Sequence, residues 1–148
     1  MLLLLPFLLM GFYHLWTKKA DKKTEQRSGY ESISQSLSFA PGEDYKSMFK
    51  KYVMHVIVHG SNSLGFPTEM EGGYVSKEDA KKIVAYMMSM QDLKPFDEDL
   101  VHEGAALFYG NCVGCHGVGG KGQKGLFPDL TRKPLLGIEK IQKSAKSL

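Results

Sequence analysis

The run Asn111-Cys112-Val113-Gly114-Cys115-His116 holds both cysteines of this 148-residue chain, three positions apart, with an imidazole directly after the second. Two thiols at this spacing lie on one side of a helical turn, so each can add to one vinyl group of a single porphyrin. The adjacent histidine then reaches under the ring and ligates iron from the proximal side. C-x-x-C-H is the attachment signature of a c-type haem. Two other chemistries use paired cysteines. A thiol–disulfide centre follows a strand in a βαβ unit, and no strand alternation precedes Cys112. A zinc site would need Cys112, Cys115, His116 and one distant ligand, because the chain has no second cysteine pair.

The elements that must position these groups read as helices. Over 43–59, Tyr45, Met48, Phe49, Tyr52, Val53 and Val56 recur at helical spacing, acidic residues open the segment and Gly60 closes it. Residues 61–75 carry glycine, proline, serine and asparagine and read as a loop. Ser76 is the expected N-cap of a second helix, with Glu78 and Asp79 where the helix dipole favours them. Its apolar stripe is Ala80, Ile83, Val84, Met87 and Met88, and Pro95 stops it. A third helix is expected over about 97–110, acidic at its start, with Leu100, Val101, Gly104, Leu107 and Phe108 on one face. No strand alternation is evident, so the expected class is all-α with long loops.

Length and composition bound the rest. One domain's worth of chain, 43% apolar and 24% charged, describes a folded globular protein. A net charge of +3 is too weak to suggest a nucleic-acid binder, and two cysteines exclude a disulfide scaffold. The charge is nonetheless polarised: residues 1–39, 40–110 and 111–148 carry +2, −4 and +5. The last segment owes its excess to Lys121, Lys124, Arg132, Lys133, Lys140, Lys143 and Lys146. Such a face either steers an acidic partner or is only a solvated surface.

From Leu2 to Trp16 the chain is apolar apart from His14, and Lys18, Lys19, Lys22, Lys23 and Arg27 follow. As a helix, residues 1–16 would span about 24 Å at about 1.5 Å per residue, short for a hydrocarbon core about 30 Å thick. No small-residue cleavage pattern appears near Trp16–Ala20, which favours an uncleaved signal anchor at 1–16. The lysines after it would be expected on the cytoplasmic side, opposite to the side that haem attachment requires. Residues 17–42, rich in serine and charge and ending in Pro41-Gly42, read as a polar tether.

Beyond the pentapeptide, the chain resembles the class I cytochromes c. Gly104-Ala105-Ala106-Leu107-Phe108-Tyr109-Gly110-Asn111-Cys112 is similar to that family's first helix, Gly119-Gly120-Lys121-Gly122 to the glycine-rich loop after the haem histidine, and Phe127-Pro128-Asp129-Leu130-Thr131 to the segment whose proline carbonyl accepts the histidine's Nδ1–H. The resemblance therefore implies that Pro128 orients His116 and raises its basicity. Gly60-Ser61, Phe66-Pro67, Gly72-Gly73-Tyr74-Val75-Ser76 and Ile83-Val84-Ala85-Tyr86 resemble the family's distal loop and last helix. The order is thus inverted, with a distal half at 43–91 before a haem-binding half at 97–148. Either the domain, 43–148, is circularly permuted, since only residues 91–96 need join the two touching terminal helices, or the sequence is cut from a tandem diheme arrangement whose partner chains complete each half.

The family's sixth iron ligand is a methionine, but none follows His116. Under permutation Met70 occupies that place, displaced relative to Phe66-Pro67. His59 and His55 are alternatives, as is an open or partner-supplied position; on the end of an amphipathic helix the two histidines equally suit carbonyl capping or solvent. Met48, Met54, Met87, Met88 and Met90 read as core fillers, and the aromatics up to Trp16 as interfacial anchors.

The resemblance implies a small all-α cytochrome c-like domain, one covalent haem c, cofactor-binding Cys112, Cys115, His116 and Pro128, and iron ligands His116 and Met70. It implies an electron carrier and not an enzyme, tethered to a bacterial cytoplasmic membrane with its haem domain on the periplasmic side. A quinol-oxidising complex or soluble cytochrome would donate, and a terminal reductase or oxidase would accept. The tandem-like pattern resembles subunits of cbb3-type oxidases and small cytochromes serving nitrous oxide reductase. A haem-based sensor or ligand-binding module with an open iron position is the alternative; no distal His–Arg pair suggests a peroxidase.

Overall fold

The computed structural model describes residues 37–61 and 64–147. Five helices lie among them: α1 (Tyr45–His59), α2 (Lys77–Met90), α3 (Glu98–Asn111), the single turn α4 (Val113–His116) and α5 (Leu136–Ala145). No strands form among the described residues, only isolated bridges pairing Ser61 with Met70 and Gln123 with Phe127. The fold is helical with long loops, as the periodicity predicts.

Capping chemistry sets the helix starts. Asp44 accepts from the Ser47 amide at 3.1 Å, Ser76 from the Asp79 amide at 3.0 Å, and Asp97 from the amides of Asp99 and Leu100 at 3.0 and 3.2 Å. Each side chain satisfies donors that the first helical turn leaves unpaired. At its far end α1 stops on Gly60, whose φ of 83° is open to glycine and costly to other residues.

The four largest fully buried side chains are Phe49, Ile83, Phe108 and Ile138, one from each of the four longer helices. A single core therefore spans both halves of the chain. The tightest crossing joins α2 to α3: a Cβ on Gly104 would overlap the Lys82 carbonyl, so only glycine lets these backbones approach so closely. Tyr86 and Phe108 pack across the same crossing with ring centroids 5.2 Å apart. α1 packs on α2 and touches α5, where the Tyr52 hydroxyl occupies the space a Cβ on Gly137 would need.

Two features differ from the sequence-based expectations. Helix α5 was not expected; it forms because Leu135, Ile138 and Ile141 recur every third residue and are 3%, 0% and 6% exposed. Leu37 and Phe39, at the end of the expected polar tether, pack against the core, because apolar side chains near a core edge bury what surface they can. The expected anchor at 1–16, and the tether as far as residue 36, lie outside the described residues. Among the described residues no helix is long and apolar enough to cross a membrane.

Candidate functional site

Helix α3 delivers Cys112 to the site as its C-cap, the Cys112 amide donating to the Phe108 carbonyl at 2.8 Å. The chain then makes one further turn, with the His116 amide on the Cys112 carbonyl at 2.9 Å, and breaks at Gly117, φ 74°. That turn separates the two thiols by environment: Cys112 is half-buried and Cys115 exposed, and both are free. Burial, with a smaller contribution from Cys115, pushes the Cys112 thiol up to about 11.

His116 is 7% exposed, and its Nδ1 lies 3.2 Å from the Pro128 carbonyl oxygen. A carbonyl only accepts, so Nδ1 carries the proton and Nε2 is left with the lone pair that a metal uses. Burial holds the imidazole below its ordinary pKa, opposed by the Pro128 contact. The intervening loop is held by its own backbone: the Gly122 amide donates to His116 at 2.8 Å and the Leu130 amide to Gly120 at 2.7 Å. A Cβ on Gly122, whose φ is 67°, would overlap the Phe127 and Pro128 carbonyls. The approach of Pro128 to His116 thus depends on glycine at 122.

These groups open on an apolar cavity walled by both halves of the chain. Cys112, His116 and Pro128 line it, and so does Met70 from the distal half. Met70 is held there by paired backbone bonds with Ser61, 2.7 and 2.9 Å, and by a glycine clasp in which a Cβ on Gly60 or Gly72 would strike the opposing backbone. Cys115, His55 and His59 are not among the lining residues. The rings of His55 and His59 instead lie 4.8 Å apart along α1, where burial and the neighbouring His59 lower the His55 pKa. Met87, read from the sequence as a core filler, is buried and also lines the cavity.

Sequence reasoning missed two polar residues around the site. Burial pushes the Tyr52 hydroxyl up to about 12, with Ser61 opposing, and Tyr52 lines the cavity. Gln91 is 7% exposed at the C-cap of α2 and bonds to residues of both halves. Tyr52 was legible only as one member of an apolar stripe. Gln91 offered a weak signal, a polar residue next to buried Met88.

The donor set suits a covalent haem: paired thiols, an imidazole with its Nδ1 proton already engaged, and an apolar cavity beside them. Residues 101–147 match the cytochrome c family, a span running from within α3 past the end of α5. The chain is also similar to the cbb3-type cytochrome c oxidase subunit FixP of Azorhizobium caulinodans, 35% identical over 68 residues. That alignment takes in 46% of this chain and 22% of the relative, so the chain spans about a fifth of the curated relative it matches. No solved structure matches the chain. Helical fold, site chemistry and both similarities together support a c-type cytochrome.

Proposed function

We propose that this chain is a membrane-tethered monohaem c-type cytochrome that passes single electrons between respiratory proteins and carries out no bond chemistry of its own. The observation that carries the reading is the buried His116, with Nδ1 on the Pro128 carbonyl, beside Cys112 in an apolar cavity that Met70 shares. Cys112 and Cys115 would hold the haem covalently, His116 and Met70 would ligate its iron, and the bound group would supply a one-electron couple. The chain's part is to orient His116, to exclude water with apolar walls and so to set the potential.

The inverted order of halves is read as a circular permutation. What supports this is the α2–α3 crossing at Gly104, with Met90 of α2 reaching Gly120 of the haem loop. The apolar run from Leu2 to Trp16 supports tethering to a bacterial cytoplasmic membrane, with the haem domain on its periplasmic side. A quinol-oxidising complex or soluble cytochrome would donate and a terminal oxidase or reductase would accept; the name of the relative favours an oxidase.

The test is the intact mass of protein purified from cells able to mature cytochromes. It should exceed that of the polypeptide by one haem, and the haem should survive acid–acetone extraction. Recovery of haem-free polypeptide would overturn the proposal. In the same protein, Met70→Ala should turn a low-spin spectrum high-spin; an unchanged spectrum would move the sixth ligand to His59 or His55.

A further inference from the structure

A polar connection between the two halves lies outside the cavity lining, at Gln91. Its Nε2 donates to the carbonyls of Leu130 and Arg132, both at 2.9 Å, and its Oε1 accepts from the Tyr45 hydroxyl at 2.8 Å. The Tyr45 oxygen accepts in turn from the Leu135 amide at 3.1 Å. Two carbonyls facing one side chain require a group with two N–H donors, and the hydroxyl requires an acceptor beside it. Glutamine meets both demands, so the orientation of the amide is fixed by chemistry. Every partner is main chain of segment 130–135 or a side chain of α1, and Gln91 itself caps α2.

Segment 130–135 continues directly from Pro128, whose carbonyl meets His116 Nδ1. Between them Asp129 folds back to accept from the Thr131 amide at 2.8 Å, and the Leu130 amide is tied to Gly120. No main-chain partner within that segment anchors the Leu130 and Arg132 carbonyls to the rest of the fold; Gln91 does. Gln91 itself is buried while its partners are half-buried or exposed, so the amide has few other groups to turn to, and losing it would leave its partners' main-chain groups without their anchor.

We infer that Gln91 is a positioning residue for the cofactor site: from the distal half, through Leu130 and Arg132, it sets how firmly the Pro128 carbonyl engages His116. The inference rests on the proposed haem ligation by His116. A firmer Nδ1–H bond makes the imidazole more electron-donating and favours oxidised iron. Loosening it should therefore raise the reduction potential.

The experiment uses the haem-loaded protein, covalent attachment being checked first by mass. Gln91→Leu keeps the volume and removes all three bonds; Tyr45→Phe keeps the ring and removes only the bond to Oε1 and the acceptor for Leu135. The potential against a fixed mediator, the exchange rate of the His116 Nδ1 proton, and denaturant stability are measured for each. Gln91→Leu should shift the redox equilibrium about two- to five-fold toward the reduced form, about 20–40 mV at 59 mV per decade, with faster proton exchange. Tyr45→Phe should give a smaller shift of the same sign. A loss of stability with potential and proton exchange unchanged, in whichever variant folds, would make Gln91 merely structural and overturn the inference. A parent protein without covalent haem would instead overturn the proposed function.

Discussion

The two halves of this molecule are built by different physics. Helices α1 and α2 contribute eleven of the buried apolar residues, from Met48 to Met88, whereas everything after Asp97 contributes Phe108, Leu135, Ile138 and Ile141. Helices α1 and α2 hold their shape by packed side chains, and only the loop between them, clasped at Gly60 and Gly72 around Met70, is held by backbone. The second half is shaped by backbone: glycines at positive φ (Gly117, Gly120, Gly122, Gly125), amide–carbonyl bonds across the loop, and side chains such as Gln91 and Asp129 that fix main-chain groups. A segment that must wrap a flat cofactor cannot fill its own interior with side chains, so it leans on a neighbour that can. That division explains why residues carrying the chemistry come mostly from one half and the core mostly from the other.

The contrast is sharpest for truncations. Phe49→Ala, at a fully buried position of α1, should cost about 3–5 kcal/mol, while Leu126→Ala, 45% exposed in the haem loop, should stay within about 0.5 kcal/mol. Denaturant unfolding of the two variants measures both; equal losses would erase the distinction. Next in size, Gly104→Val forces a branched side chain against the Lys82 backbone and should cost about 3 kcal/mol, separating the halves. Neither helix can yield without losing the Tyr86–Phe108 contact.

A smaller effect tests the backbone-held half by pH. Burial alone would raise the Asp129 carboxyl, but hydrogen bonds from Thr131, with Lys121 nearby, hold it below its ordinary value of 3.8. The stability it contributes is therefore complete above pH 3.8 and disappears as pH falls through the lower folded value. Asp129→Asn should remove about 1 kcal/mol near neutrality, and the difference from the parent should vanish in acid. Acid titration of unfolding by circular dichroism reads this.

Least in energy, but specific to the loop, is surface charge. Lys124 is exposed, and Lys121 is exposed while bonding to Thr131 Oγ1 at 2.9 Å. Reversing both to glutamate should slow electron transfer to an acidic partner several-fold at low salt. The gap should close as salt screens the charges over about 8 Å, with the haem spectrum unchanged. Rates matching the parent at every salt concentration would leave the basic loop a solvated surface.

The helices of the first half were legible in the sequence because packed helices advertise themselves by period and cap: Ser76 caps as expected, and the stripe from Ala80 to Met88 is buried. Helix α5 escaped because its three anchors are spaced through a lysine-rich stretch that resembles solvated surface. His116 and the two cysteines were named from their local spacing alone, since their chemistry depends on neighbours within five residues. The contact of His116 with Pro128 was anticipated only through family resemblance.

What the sequence by itself determined, then, was the reactive pentapeptide and the helical class, because each is encoded in residues near one another along the chain. Only the tertiary structure decided that Met70 shares a cavity with His116 while His55 and His59 do not line it. The same holds for Gln91, about forty residues before the loop it supports, and for Tyr52 against Gly137. These depend on where a turn of α1 or the end of α2 comes to lie once α2 and α3 cross. A one-dimensional pattern records which face of a helix is apolar, and it carries no record of which distant backbone that face, or the polar residue at its end, will meet.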